Sequence, residues 1–250
     1  MKDSAQVVVV VPGRGASTRL PRKLFLAESG KPLYAHALER CLAARSADRV
    51  LAAVDGPELA AIARAAGAEP VLTDPALASG TDRVWAAVRE LPEAAIVLNV
   101  QGDEPEIEPA AVDAVIGAVR DGAEVATLAA PLPPEAFADP ARVKVVVDLR
   151  GDALYFSRAP IPHPRFADGP AAPRLHLGIY GFRREALRRF TAWPPSALER
   201  TEGLEQLRLL EHGVRIRVLD WPRAASGIDT RADYDAFLLR SRRAAATPLP

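Results

Sequence analysis

A single cysteine among 250 residues, Cys41, excludes an internal disulfide and fits a reducing compartment. Cys41 lies in an apolar helical pattern and reads as core rather than as a nucleophile. Net charge is also absent: 32 Lys and Arg balance 32 Asp and Glu, so no global field marks nucleic acid or an anionic membrane as a partner. No apolar run approaches the ~18 residues of a spanning helix, and the amino terminus has no charged n-region, long h-region or cleavage site. The expectation is a soluble, cytoplasmic protein without membrane insertion. Repeats and low-complexity linkers are missing, and the length suits one α/β domain carrying a smaller lobe. The common phosphate-loop patterns fail too: no G-x-x-x-x-G-K-[ST] occurs, and G-x-G-x-x-G breaks at Thr18.

What the chain does have is VVVVVPGRGASTRLPRK, Val7 to Lys23. Five β-branched residues in a row read as an inner parallel strand, ended by Pro12. Gly13 and Gly15 are expected to let the backbone turn tightly, while Arg14, Arg19, Arg22 and Lys23 gather positive charge before any helix begins. A nucleoside triphosphate carries roughly four negative charges, which this loop matches.

Apolar runs then alternate with helical patterns. The runs are Val50 to Val54, a short one at Val71 and Ala95 to Val100; the helices lie near Leu33 to Ala44, near Pro57 to Ala66 and after Gly80. That rhythm predicts a mostly parallel sheet flanked by helices, with ligands at the carboxyl ends of its strands. The loop Gln101 to Pro105 follows one such strand and is expected to face the cationic loop. Beyond a helix ending near Val119 and a strand Val125 to Leu128, the runs Val143 to Val147 and Leu154 to Ser157 read as a hairpin. Ala159 to Pro173 reads as a loop and Leu175 to Phe182 as a strand. Helices near Glu185 to Phe190 and Leu204 to His212 follow, then a strand Val214 to Leu219, the segment Ser226 to Thr230 and a closing helix frayed over Ala244 to Pro250. His36, His163 and His212 read as structural or surface residues.

Asp103 emerges from a buried strand as a hard oxygen donor suited to magnesium, although D-E-P after a strand also makes a turn. Asp229 reads either as a second acidic ligand or as the N-cap of the last helix, with Thr230 competing for the cap.

ASTRLPRK, SGTDR, NVQGDEP, VKVV, LYFSRAPIP, HLGIYGF, LEQLRLLEHG and GIDT, in this order between about residues 7 and 240, resemble the CMP-Kdo synthetase (3-deoxy-manno-octulosonate cytidylyltransferase) family. The resemblance implies a nucleotide-diphospho-sugar transferase-like, Rossmann-like fold. It also implies Mg2+-dependent transfer of CMP from CTP to the anomeric 2-hydroxyl of a 3-deoxy-ulosonic acid, with release of pyrophosphate and a product that feeds lipopolysaccharide synthesis. Arg14, Ser17, Arg19 and Lys23 match the triphosphate loop, with Lys23 its phosphate-contacting lysine. Ser79, Gly80, Thr81, Arg83 and Gln101 match the cytosine and ribose region. Asp103 and Asp229 match the magnesium ligands, and Arg158, His176, Tyr180, Glu205 and Gln206 match the positions that hold the sugar acid. The family's homodimer is expected here through the hairpin near Val143 to Phe156. The expected organisation is one domain, 1–250, with a CTP-binding part at about 5–130 and 214–240 and a sugar-binding and dimerisation lobe at about 131–213.

In-line displacement at phosphorus needs charge neutralisation and alignment rather than a covalent nucleophile, which agrees with this residue set. The chain departs from the family pattern P-A-R-[YF]-A-S-T-R-L-P-G-K at Gly13, Gly15 and Arg22, and the loop before His176 is short. A related acid, such as an 8-amino analogue of Kdo, is therefore the alternative substrate. A sugar-1-phosphate nucleotidyltransferase and a non-catalytic nucleotide-binding module are more distant alternatives.

Overall fold

In the computed structural model, residues 6–166, 172–224 and 227–246 are described. Strand β1 (Gln6–Gly13) lies between β2 (Arg49–Val54) and β4 (Ala94–Asn99), parallel to both, and β3 (Glu69–Leu72) extends this set beyond β2. The five valines Val7 to Val11 are fully buried, and successive side chains pack into opposite layers. Val7, Val9 and Val11 join the layer of α1 (Leu33–Leu42), α2 (Pro57–Ala65) and α4 (Pro109–Arg120). Val8 and Val10 join that of α3 (Gly80–Val88) and α5 (Arg184–Ala192). An inner strand covered on both faces has no polar alternation, which explains the unbroken run.

The second half changes direction. Strands β5 (Val125–Pro131), β6 (Lys144–Val147), β7 (Ala153–Ser157), β8 (Arg174–Arg183) and β9 (Ile216–Asp220) complete one nine-stranded sheet. Its main path runs β3-β2-β1-β4-β8-β5-β9. Strand β8 is antiparallel to both β4 and β5, so the sheet is parallel through its first half and mixed beyond β4. The hairpin β6–β7 forms as expected and joins the margin of β8.

Several elements depart from the sequence reading. Strand β1 does not stop at Pro12 but continues to Gly13, because β2 pairs alongside both residues. Neither Gly13 nor Gly15 takes positive φ; the left-handed residue of the loop is Arg22, at φ 54°. A short helix α6 (Ala197–Glu202), closed by a Ser196–Glu199 capping box, precedes α7 (Gln206–Glu211) where a single helix near Leu204 to His212 was expected. The closing helix α8 (Arg231–Ala246) reaches beyond Ala244; Thr247 to Pro250 lie outside the described residues, as do parts of the Ala159 to Pro173 loop and of the Ser226 to Thr230 segment. His36 bonds Ser29 Oγ (2.8 Å) and His212 stacks on Trp193, in keeping with structural roles. No described helix is long and apolar enough to cross a membrane.

Candidate active site

The loops after β1 and β4 meet at the carboxyl end of the sheet. A Cβ on Gly102 would lie 2.7 Å from the carbonyl oxygen of Pro12, so only glycine lets these loops touch. At that junction Lys23 Nζ donates to Asp103 Oδ2 (2.5 Å), Asp229 Oδ1 (3.0 Å) and the Ile228 carbonyl (2.9 Å). Arg19 also pairs with Asp229, at 2.9 Å. Burial works against the Lys23 charge, but Asp103 and then Asp229 outweigh it and hold the ammonium above its usual range. The choice between Asp229 and Thr230 as helix cap is resolved by Asp233, whose amide donates to Thr230 Oγ1 (3.2 Å). Thr230 thus caps α8, and the Asp229 carboxylate is free to face Lys23.

Two cavities adjoin this junction. The first, about 720 Å³, is lined by Arg14, Ser17, Arg19, Lys23, Asp55, Asp103 and Asp229 among others, three cations and three carboxylates. The second, about 380 Å³, brings Arg158, His176, Tyr180, Glu205 and Gln206 together, with Thr81. Gly80 and Gln101 line both, so the two cavities meet along a shared edge. Two of the residues expected at the nucleotide line neither cavity. Ser79 is engaged as the N-cap of α3, accepting from Asp82 N. Arg83 is fully buried and donates through Nη1 to Thr73 Oγ1, while its Nε and Nη2 have no hydrogen-bond partner.

The second cavity is rich in polar atoms left wanting. Tyr180 Oη, Glu205 Oε2 and Gln206 Nε2 are buried without a partner, a costly state that a hydroxylated ligand would relieve. Burial raises the Tyr180 phenol well above its usual range, the Glu205 carboxylate adding to the effect and the nearby Thr127 hydroxyl opposing it. Burial also raises the Glu205 carboxyl, against hydrogen bonds from Thr81 and Ser79. His176 is pushed down to about 3 by burial, so its imidazole is neutral. Thr127 Oγ1 lies 2.7 Å from the Ile179 carbonyl and 3.2 Å from His176 Nε2. The single hydroxyl proton goes to the carbonyl, which only accepts. Nε2 therefore carries the imidazole proton and Nδ1 is the ring's acceptor.

Sequence reasoning missed Asp55, which follows β2 and accepts the Gly15 amide with both carboxylate oxygens (3.0 and 3.1 Å), holding the cationic loop after β1. The rule that ligands gather at carboxyl ends of strands applies to β2 as well and would have found it. The departures at Gly15 and Arg22 also have a local account. A hollow of about 250 Å³ beside Gly15 is bounded by Arg22, Phe25, Asp55 and the start of α2. Arg22 lies over the Phe25 ring (4.1 Å) and pairs with Glu58 (2.7 Å), closing the loop from outside. That hollow shares no lining residue with the 380 Å³ cavity.

Residues 8–216 match the family model described as cytidylyltransferase. The chain belongs to the cytidylyltransferase family. It is similar to the 3-deoxy-manno-octulosonate cytidylyltransferase of Anaeromyxobacter sp. (strain Fw109-5), 50% identical over 92% of this chain and 94% of the relative. The enzyme of the same name from Nitratidesulfovibrio vulgaris (strain Hildenborough) is 45% identical over 92% and 93%. Among solved structures, CMP:2-keto-3-deoxy-manno-octonic acid synthetase complexed with CTP superposes with a TM-score of 0.91 at 38% identity, covering 96% of this chain and 99% of that one. Membership in this cytidylyltransferase family accords with two adjoining cavities, one lined by these cations and carboxylates and one by hydrogen-bonding side chains.

Proposed function

We infer that this protein transfers CMP from CTP to the anomeric 2-hydroxyl of 3-deoxy-manno-octulosonic acid (Kdo), releasing pyrophosphate. The observation that carries this reading is the set of unpartnered buried atoms of Tyr180, Glu205 and Gln206 in a cavity that opens beside Lys23, Asp103 and Asp229. The activity is the one for which its relatives are named. In this reading Arg14, Arg19 and Lys23 neutralise the triphosphate and favour departure of pyrophosphate. Arg158 takes the acid's carboxylate on its planar face, and neutral His176 accepts from a sugar hydroxyl through Nδ1. Tyr180, Glu205 and Gln206 read the remaining hydroxyls. Gln101 and Gly80, at the shared edge, hold the acid's reacting end against the nucleotide.

A magnesium ion fits the donor set: Asp103 and Asp229 converge on one ammonium, a position a divalent cation can take, and Mg2+ prefers one or two carboxylates plus phosphate oxygens and water. Bound there, it would neutralise phosphate charge and lower the pKa of the attacking hydroxyl.

Kdo is favoured over an 8-amino analogue because the changes at Gly15 and Arg22 border a hollow separate from the acid's cavity. The protein is read as a cytoplasmic homodimer joined through the β6–β7 hairpin. The deciding experiment incubates the purified protein with CTP, Mg2+ and a panel of ulosonic acids, following pyrophosphate and product mass. CMP-Kdo is the expected main product. Pyrophosphate formed with another acid at higher kcat/KM would replace the substrate, and none with any acid would sink the reading.

A further inference from the structure

We propose that Lys144 is a positioning residue for Arg158: its buried ammonium ties the turn Asp139–Arg142 to the Arg158 main chain and thereby fixes the guanidinium at the wall of the 380 Å³ cavity. The inference rests on the reading of Arg158 as the partner of the acid's carboxylate.

Lys144 is fully buried although it opens strand β6 at the sheet margin. Its Nζ donates to the carbonyls of Asp139 (2.9 Å), Arg142 (2.6 Å) and Arg158 (2.5 Å). An ammonium has three N–H donors, so none remains for a ligand. A buried charge is tolerated only when hydrogen-bonded in this way, and Lys144 acts as an internal clamp rather than a contact for substrate.

The clamp bears on Arg158 from both sides. One carbonyl it holds is Arg158's own. The other two flank Pro140, whose carbonyl accepts from Arg158 Nη1 at 3.0 Å. Glu202, at the end of α6, completes the seat: its carboxylate accepts from Ser157 Oγ (2.6 Å) and from the Arg158 amide (3.0 Å), and its carbonyl from Arg158 Nε (2.7 Å). Gly203 O lies 3.4 Å from Nη2. Nε and one N–H on each terminal nitrogen are thus spent on the protein, and one N–H on each terminal nitrogen remains, the two prongs a carboxylate accepts. Held this way, the guanidinium loses little freedom when the acid arrives.

The test compares Lys144→Gln, Lys144→Met and Glu202→Gln with Arg158→Ala and wild type, measuring KM for Kdo and for CTP by pyrophosphate release, with thermal unfolding recorded for each. A misplaced guanidinium should raise the KM for Kdo by about 10- to 100-fold in the Lys144 variants. KM for CTP should stay within about twofold, since a loss confined to one substrate appears in that substrate's KM. Inhibition by the Kdo methyl ester, which brings no carboxylate charge, should be nearly the same in wild type and Lys144→Gln, a readout that general loosening of the lobe would move. If neither of these Lys144 variants folds, Lys144→Arg, whose planar guanidinium cannot direct three donors to the carbonyls a tetrahedral ammonium reaches, decides on the same split, and Glu202→Gln reports on the other half of the Arg158 seat. Equal rises in both KM values, or an unchanged KM for Kdo while Arg158→Ala raises it, would overturn the positioning role. An unchanged KM for Kdo in Arg158→Ala would overturn the role of Arg158 and, with it, this inference; absence of any wild-type turnover would instead defeat the functional reading itself.

Discussion

At the junction of the two loops the proposed chemistry rests on single side chains. Asp103 and Asp229 both accept from Lys23, and in the proposed reaction each acts through its charge. Asp103→Asn keeps the shape and removes a charge, so kcat should fall by about 10²- to 10³-fold, roughly 3 to 4 kcal/mol of transition-state stabilisation, with a smaller effect on CTP binding. Steady-state kinetics at saturating Mg2+ checks this; wild-type turnover would remove Asp103 from the mechanism. His176 supplies a pH-dependent effect. Its imidazole sits near 3 in the fold and at about 6.5 in the unfolded chain. Between those values the unfolded state binds the extra proton, so the contribution is present above pH 6.5 and is lost as pH falls. Relative to His176→Gln, wild type should lose about 2 kcal/mol of unfolding free energy between pH 7 and pH 5. Denaturant unfolding at the two pH values measures the difference; a gap independent of pH would mean an imidazole that titrates normally. Residues such as Asp103 and Lys23 could be found in the sequence because a buried strand running into a polar loop is a local pattern. Lys144 could not, because V-K-V-V reads as an alternating strand with its lysine outward, and only the carbonyls of 139, 142 and 158 explain why it turns in.

At the scale of elements, glycines set how closely strands and helices approach, and two of them separate activity from stability. At Gly102 the obstacle to a Cβ is backbone, the Pro12 carbonyl at 2.7 Å, so Gly102→Ala must push the β1 and β4 loops apart. A displacement near 1 Å there should lower kcat by about 10²-fold. At Gly181 the obstacles are methyl groups of Val115 and Val119 on α4, at 2.6 and 3.0 Å, in the layer opposite the one that holds its neighbours Tyr180 and Phe182 at the cavity wall. Gly181→Ala should cost about 1 to 3 kcal/mol by overpacking and leave kcat close to wild type. Measuring kcat and denaturation midpoints for both variants tests the separation; equal losses of activity would refute it. Most element positions followed from composition and periodicity, the hairpin included. The place of β8 did not, since pairing of residues 180–183 with 96–99 depends on strands distant in sequence. Helix α6 was hidden because A-L-E-R-T-E is a single short turn-and-a-half whose capping box, Ser196 with Glu199, was the available signal.

For the whole molecule, the β6–β7 hairpin carries the apolar side chains on which the proposed dimer rests. Leu149 is wholly exposed at its turn and Leu154 is 62% exposed on β7. Exposed apolar side chains on this hairpin suit a two-fold contact with a second copy. Light scattering should find twice the chain mass for wild type, and the chain mass alone for the double variant Leu149→Glu, Leu154→Glu at the same concentration. A monomeric wild type would discard the hairpin as an interface.

The antiparallel seat of β8 beside β4 also has a consequence for synthesis on the ribosome. The first four strands are complete once Asn99 has emerged, yet the outer edge of β4 is paired only by a segment ending at Arg183. At about 5 to 20 residues per second, roughly 80 residues of translation leave that apolar edge open for about 4 to 16 s. During this interval the nascent half-sheet presents unpaired main-chain groups to any neighbouring chain, and this is the stage at which a holding chaperone has most to protect.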